Sequence, residues 1–266
     1  MIGSLSGSLF DLTGKTALVT GSTRGMGRAT AEHLAKHGAH VAITSRKADE
    51  CEAVAAEIRA AGGKAMAQAA GLSRKAEVLA LADAVLHAYG RIDILVCNAA
   101  IHPWTGPTLE LTDETFAKFM QANLQSSIWL AQKALPGMIE VQDGRIILIS
   151  SLSGLTGSSR YGTYSLTKAA ALQLARNLAV EYGRQGIRAN AIAPDLHKTE
   201  MARSLWDDPA AVAPYLKRNP SGRLGEPEEI AGTVVWLASA AGGNVNGQTI
   251  VVDGGFSINY DWRDPA

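Results

Sequence analysis

Three observations predict the fold class. Short apolar runs of strand length alternate with longer helical patterns, the composition is unbroken from end to end, and a glycine-rich turn follows the first run directly. Together they predict an α/β fold: a doubly wound parallel sheet of about seven strands with helices on both faces. The 266 residues suit one large domain of this kind. No Pro/Gly/Ser linker and no internal repeat divides them, so residues 1–266 are read as a single domain.

The first strand is expected in KTALVTG (15–21), followed by an Ala-rich helix over 25–37. HVAITS precedes the amphipathic ADECEAVAAEIRAAG, and KAMAQAA precedes RKAEVLALADAVLHAYG. DILVCNAA leads through a loop into one helical stretch, TDETFAKFMQANLQSSIWLAQKAL. GRIILISS precedes a long helix over 161–182. IRANAIAP, a short helix at PEEIAGTVVWLAS and a last strand in QTIVVDGG complete the series. The strand runs are apolar nearly throughout, as strands covered on both faces require.

Hydrophobic residues make up 47% and charged residues 19%, the balance of a soluble globular protein. Lys plus Arg (25) offset Asp plus Glu (25), so no basic surplus exists to drive counterion release. That argues against a nucleic-acid or anionic-membrane partner. No apolar run is long enough to span a bilayer, and MIGSLSGSLFDLTGK lacks the charged start and apolar core of a signal peptide. Cys51 and Cys97 cannot build a disulfide framework, and neither has metal-ligand spacing. A reduced cytoplasmic protein without a metal site is expected.

After the first strand stands TGSTRGMG, with Gly21, Gly25 and Gly27 directly before a helix. Glycines there let the backbone approach a pyrophosphate and leave helix N-terminal amides facing it. Glycines also serve simple tight turns, but the place after the first strand of a βαβ unit favours a Rossmann-like dinucleotide site. Gly21, Ser22, Thr23, Arg24, Gly25, Met26 and Gly27 are its candidate contacts. At the end of the second strand an acid would bond the ribose 2′-hydroxyl of NAD, whereas an arginine accommodates the 2′-phosphate of NADP. This chain has Ser45 and Arg46, then Lys47, with Arg24 in the glycine loop. NADP(H) is favoured, with NAD(H) possible; the competing reading is that Arg46 and Lys47 are a solvated helix start.

In RYGTYSLTKAAA, Tyr164 and Lys168 are four residues apart in a helical pattern, hence on one face. A tyrosine with an ordinary pKa of about 10 is a poor base near neutrality, but a neighbouring ammonium favours its phenolate. Tyr164 then suits proton exchange with a carbonyl oxygen, which Ser151, at the end of GRIILISS, is placed to hold. Asn123 lies upstream in the apolar context of QANLQSS. For Tyr164 and Lys168 alone, simple surface neighbours remain the competing reading.

Taken in order, TGSTRGMG, the NAA of Asn98 to Ala100, Asn123, Ser151 and YSLTK resemble the short single-domain branch of the short-chain dehydrogenase/reductase family. The resemblance runs from GKTALVTG to VVDGG. It implies a catalytic tetrad: Tyr164 as general acid/base, Lys168 binding the nicotinamide ribose and lowering the tyrosine pKa, Ser151 orienting the substrate oxygen, and Asn123 holding a water. Asn98 and Ala99 would border the cofactor, and Pro194, Leu196 and Thr199 would flank its nicotinamide end. Ser150 and Ser153 are rivals to Ser151, with the spacing to Tyr164 favouring Ser151.

Two positions depart from the family pattern. Where the family carries an acid against the adenine amino group, this chain reads Gly71 and Leu72, leaving adenine to Leu72 and backbone. Where the family has Pro-Gly, it reads Pro194 and Asp195. Asp195 is read either as a turn residue capping the following amides or as a carboxylate facing nicotinamide or substrate. His102, Trp104, Ser153, Asp195, His197, Met201, Leu205 and Trp206 are the candidate substrate-pocket residues, the last three on a stretch of about 199–222 that resembles the family's mobile substrate loop.

The expected activity is an NADP(H)-dependent oxidoreductase interconverting a ketone or aldehyde with an alcohol. The alternatives are a 3-oxoacyl thioester reductase of the same family and a non-catalytic NADP(H)-binding sensor or scaffold. Expected partners are a small carbonyl or alcohol substrate and, from the resemblance, further copies of the chain in a homodimer or homotetramer. The tail NYDWRDPA is expected either to fray or to lie across a neighbour.

Overall fold

A computed structural model describes residues 8–259. The first residues of the leader reading and nearly all of the tail reading fall outside the described residues. Seven strands form one sheet: β1 (Thr16–Thr20), β2 (His40–Thr44), β3 (Lys64–Ala67), β4 (Ile94–Cys97), β5 (Gly144–Ile149), β6 (Ile187–Pro194) and β7 (Thr249–Val252). All six pairings are parallel, in the order β3-β2-β1-β4-β5-β6-β7. The chain winds outward from β1 to β3, then returns to place β4 beside β1. That reversal opens a crevice at the carboxyl ends of β1 and β4, where ligands bind in open sheets of this type.

Alternation along the strands divides the apolar residues between two cores. Leu18, Leu95 and Cys97 join one with α3 (Lys75–Tyr89), α5 (Ser126–Glu140) and α6 (Gly162–Tyr182). Ala17, Val19, Ile94 and Val96 join the other with α1 (Gly25–Lys36), α2 (Ala48–Ala60) and α9 (Pro227–Ala238). Period-2 side chains that are apolar on both faces explain why the strand runs read as unbroken hydrophobic stretches. Among the described residues, no helix is long and apolar enough to cross a membrane.

The structure corrects two expectations. The helical stretch from Thr112 is not continuous: α4 (Asp113–Met120) passes into a π turn over Gln121–Gln125 before α5 begins. Within that turn Ser126 Oγ donates to the Ala122 carbonyl at 2.7 Å, and the Asn123 side chain binds backbone outside the helix. The segment expected as a substrate loop contains α7 (Arg203–Trp206) and α8 (Pro209–Arg218). Asp208 accepts from Ala210 N at 2.9 Å and Pro209 opens the first turn, so α8 carries its own start signal.

Candidate active site

The turn after β1 is built for close backbone approach. Gly21 and Gly25 have φ of +66° and +53°, the left-handed region that glycine enters freely. At Gly27 a Cβ would stand 2.2 Å from the Gly21 carbonyl oxygen and 2.4 Å from Asn98 Nδ2, so no other residue fits without movement. Asn98 Nδ2 donates to the carbonyls of Thr20 (2.9 Å) and Gly21 (3.3 Å). Thr20 Oγ1 accepts from the amides of Asn98 (2.9 Å) and Ala99 (3.0 Å). Thr20 escaped the sequence reading, although a threonine closing an apolar strand beside a glycine turn is the available signal. Ser22 is fully buried and its hydroxyl accepts from Thr44 N at 2.8 Å, so its side chain ties β1 to β2 and does not face the crevice.

Arg24 caps α1 in extended conformation, and Arg24 and Arg46 are both exposed. Lys47 pairs with Glu50 at 2.6 Å, and Arg24 is near enough to oppose its charge. Ser45 is turned inward, its amide donating to Cys51 Sγ at 3.0 Å. The end of β2 is therefore a cationic rim without a carboxylate directed at the ribose position.

After β3, Leu72 packs partly buried on the first core. The amide of Gly71 donates to Glu77 Oε2 at 2.6 Å, while Arg74 Nε holds Oε1 at 2.5 Å. A Cβ at Gly71 would lie 2.9 Å from that same Oε2. A carboxylate thus occupies the space of the acid expected at position 71, supplied from six residues downstream.

Ser150 and Ser151 extend past β5, and their side chains divide. Ser150 Oγ is buried and donates to the Lys168 carbonyl at 2.8 Å. Ser151 Oγ accepts from Ser153 N at 3.1 Å, and Ser151 is close enough to Tyr164 to oppose the rise of its pKa. The structure thus places Ser151, not Ser150, at the tyrosine. Tyr164 is pushed up to about 12 by burial, with Ser151 acting in the opposite direction. Lys168 Nζ is buried, lies 5.4 Å from the centroid of the Tyr164 ring and donates to the Ile149 carbonyl at 2.7 Å. Burial draws its ammonium down to about 8. In the protein alone, burial is the larger influence on Tyr164 and acts against the lowering expected from Lys168.

Asn123 joins from the π turn. Its Oδ1 accepts from Ile101 N at 2.8 Å, and its Nδ2 donates to Ile101 O at 3.1 Å and Thr167 Oγ1 at 3.2 Å. Asn123 thus braces the loop after β4 against α6. Along that loop the His102 ring meets Tyr164 edge-on, centroids 5.2 Å apart, and lies 5.0 Å from Tyr161. Burial lowers the His102 pKa, which favours the neutral imidazole. Neither His102 Nε2 nor Trp104 Nε1 has a hydrogen-bond partner among the described residues.

The loop after β6 meets the glycine turn. A Cβ at Gly25 would stand 3.3 Å from Thr199 Cγ2, and Trp206 Nε1 donates to the Thr199 carbonyl at 3.1 Å. Met201 and Leu205 are exposed. Asp195 does not use a left-handed backbone. Its Oδ2 accepts from Tyr215 OH at 2.9 Å, and burial raises its pKa. His197 is buried, with Nδ1 3.0 Å from the Asp195 carbonyl oxygen and a ring that a Cβ at Gly225 would meet at 2.4 Å. It borders a cavity of about 70 Å³ shared with Tyr215, Asn219 and Asp253, beneath α8 and apart from Tyr164.

Comparison with known proteins agrees with this fold. The family model described as enoyl-(acyl carrier protein) reductase matches residues 21–257. Dehydrogenase/reductase SDR family member 4 of Oryctolagus cuniculus is 35% identical over 92% of this chain and 94% of its own length. A tropinone reductase homolog of Arabidopsis thaliana is 39% identical over 94% and 95%. A gluconate 5-dehydrogenase from Burkholderia cenocepacia, crystallised with NADP and tartrate, superposes with a TM-score of 0.88 at 36% identity, covering 94% of this chain and 97% of that one. A 3-oxoacyl (acyl-carrier-protein) reductase from Agrobacterium tumefaciens with NADP bound gives 0.87 at 36% identity, covering 92% and 95%. With matches that span nearly the whole chain at these identities, this protein belongs to the short-chain dehydrogenase/reductase family of oxidoreductases.

Proposed function

We propose that this chain is an NADP(H)-dependent carbonyl reductase that also runs in reverse as an alcohol dehydrogenase, built as one catalytic domain. The observation that carries the reading is the gathering of Ser151, Tyr164 and buried Lys168 past the end of β5.

The chain's residues fit the cofactor. The glycine turn leads directly into α1, whose N-terminal amides suit a pyrophosphate. Arg24 and Arg46 suit a 2′-phosphate, Leu72 the face of adenine and the Glu77 carboxylate its amino group. When bound, the nicotinamide supplies or accepts the hydride.

The remaining steps fall to protein groups. Ser151 holds the substrate oxygen by a hydrogen bond. Tyr164, pushed up to about 12, stays protonated at physiological pH and donates its proton to that oxygen as the carbonyl is reduced. Lys168, drawn down to about 8, is the neighbouring group able to exchange protons near neutrality. Asn123 and Thr167 keep α6 and the His102 loop in register around them.

A 3-oxoacyl thioester and a polyhydroxy acid are the second readings, favoured by the 3-oxoacyl reductase and gluconate 5-dehydrogenase likenesses. Exposed Phe116 on α4 and Leu166 and Val180 on α6 support pairing of the chain into a homodimer or homotetramer. A cytoplasmic location is proposed with this reading.

The test is NADPH against NADH binding by fluorescence. It is followed by a panel of ketones, aldehydes, alcohols, gluconate and a 3-oxoacyl thioester, with Tyr164→Phe as control. Activity that survives Tyr164→Phe would overturn the mechanism.

A further inference from the structure

Asp195 stands where the first stretch beyond β6 turns toward the crevice, and its amide still donates to the Val252 carbonyl at 3.2 Å. Its carboxylate is thus fixed to the end of the β6–β7 pairing. From there Oδ2 accepts the hydroxyl of Tyr215 on α8 at 2.9 Å. The same hydroxyl accepts from Asn219 Nδ2 at 3.0 Å, and that amide nitrogen also donates to the Asp253 carbonyl at 3.1 Å. The Tyr215 ring stacks on Phe256, centroids 4.9 Å apart and 17° between planes.

Beyond Tyr215, α8 is held at its last residue, where Asn259 Nδ2 donates to the Arg218 carbonyl at 2.8 Å and the Arg218 guanidinium lies 5.1 Å from the centroid of the Phe256 ring. Of its ten residues Val212 alone is buried, and a helix this short is marginal by itself. Joined to it is α7, whose Trp206 donates to the Thr199 carbonyl, with Thr199 against Gly25 of the cofactor turn. The grip on Tyr215 is the anchor that ties the middle of this segment to the end of the β6–β7 pairing.

We infer that Asp195 is a positioning residue that clamps the lid formed by α7 and α8 through Tyr215, and with it the Thr199 contact on the cofactor turn, thereby setting substrate affinity. The inference rests on the proposed carbonyl-reductase reading for the effect on substrate, but the clamp itself does not. A glycine at this position has no side chain with which to hold Tyr215. The carboxylate serves neither as a left-handed turn residue nor as a free charge.

Hydrogen–deuterium exchange of the full chain, followed over residues 203–218, tests the clamp whatever the reaction. Asp195→Ala and Tyr215→Phe, the second keeping the Phe256 stack, are expected to speed exchange there about tenfold. Asp195→Asn, which retains an acceptor oxygen, restores slow exchange. Exchange unchanged in both disruptive variants overturns the clamp. On the substrate that the panel identifies, the same two variants raise KM about tenfold with kcat changed less than threefold. Faster exchange with KM unmoved overturns the positioning role. A wild-type chain that reduces nothing in the panel, yet shows the exchange pattern, retains the clamp and rejects only the carbonyl-reductase reading.

Discussion

Lys168 donates its ammonium to the carbonyl of Ile149 at 2.7 Å, so a buried cation is fixed at the carboxyl end of β5 by backbone. Burial nevertheless lowers its pKa from 10.5 to about 8. At Lys168 the unfolded chain then binds more protons than the folded one between about pH 8 and 10.5, so this group's contribution to stability rises with pH across that window, opposed above about pH 9 by buried Cys97, which is raised to about 11. At about 1.4 kcal/mol per unit, the full rise is on the order of 3 kcal/mol. Urea unfolding at pH 7.5 and 9.5 is expected to show much of this gain in the wild type and none of it in Lys168→Met.

Tyr164→Phe removes the proton donor while keeping the ring against His102. The expected result is a fall in kcat of about 10²–10⁴-fold, with NADPH still bound. Steady-state kinetics and fluorescence titration on the same preparation check both parts.

The cationic rim of Arg24 and Arg46 makes a prediction about cofactor choice. Replacing either by Ala is expected to weaken NADPH about tenfold and to leave NADH nearly unchanged, since the 2′-phosphate alone distinguishes them. The loss shrinks at high salt, because both side chains are exposed. Equal losses for the two cofactors would place the arginines elsewhere than the 2′-phosphate.

Glu77, held by the Gly71 amide at 2.6 Å, is expected to read the adenine amino group. Glu77→Gln keeps the shape and exchanges one acceptor for a donor. The wild type is expected to bind NADPH more tightly than its hypoxanthine analogue, which has an oxygen in place of that amino group. In Glu77→Gln the preference narrows or inverts. An unchanged ratio in competition titrations would show that Glu77 serves only the turn after β3.

The fold was legible because its signals are local and repeated. Apolar strands, the Gly21–Gly27 turn and the four-residue spacing of Tyr164 and Lys168 each depend on neighbours in the chain. What stayed hidden depends on contacts across long separations. Asp195 could be read as a turn residue or a ligand contact, since its partner Tyr215 lies 20 residues away. Position 71 seemed to lack its acid because the carboxylate arrives from the first turn of α3. Ser150 and Ser151 are equivalent in sequence, and only the packing of β5 on α6 turns one toward the Lys168 backbone and the other toward Tyr164. Burial of Tyr164 is hidden for the same reason: a spacing shows that a cation is close, but not how dry the site is.

The π turn at Gln121–Gln125 carries one further consequence. An added residue advances a helix by about 100°, so α4 and α5 are out of phase with each other along nearly the same axis. The leading half packs toward α6 and the trailing half toward α3, each with its own apolar stripe. Asn123 sits at the point where the phase slips, which frees its amide to reach Ile101 instead of lying along either stripe. Removing one residue there would bring both halves back onto a single stripe and swing the amide away from the loop that carries His102.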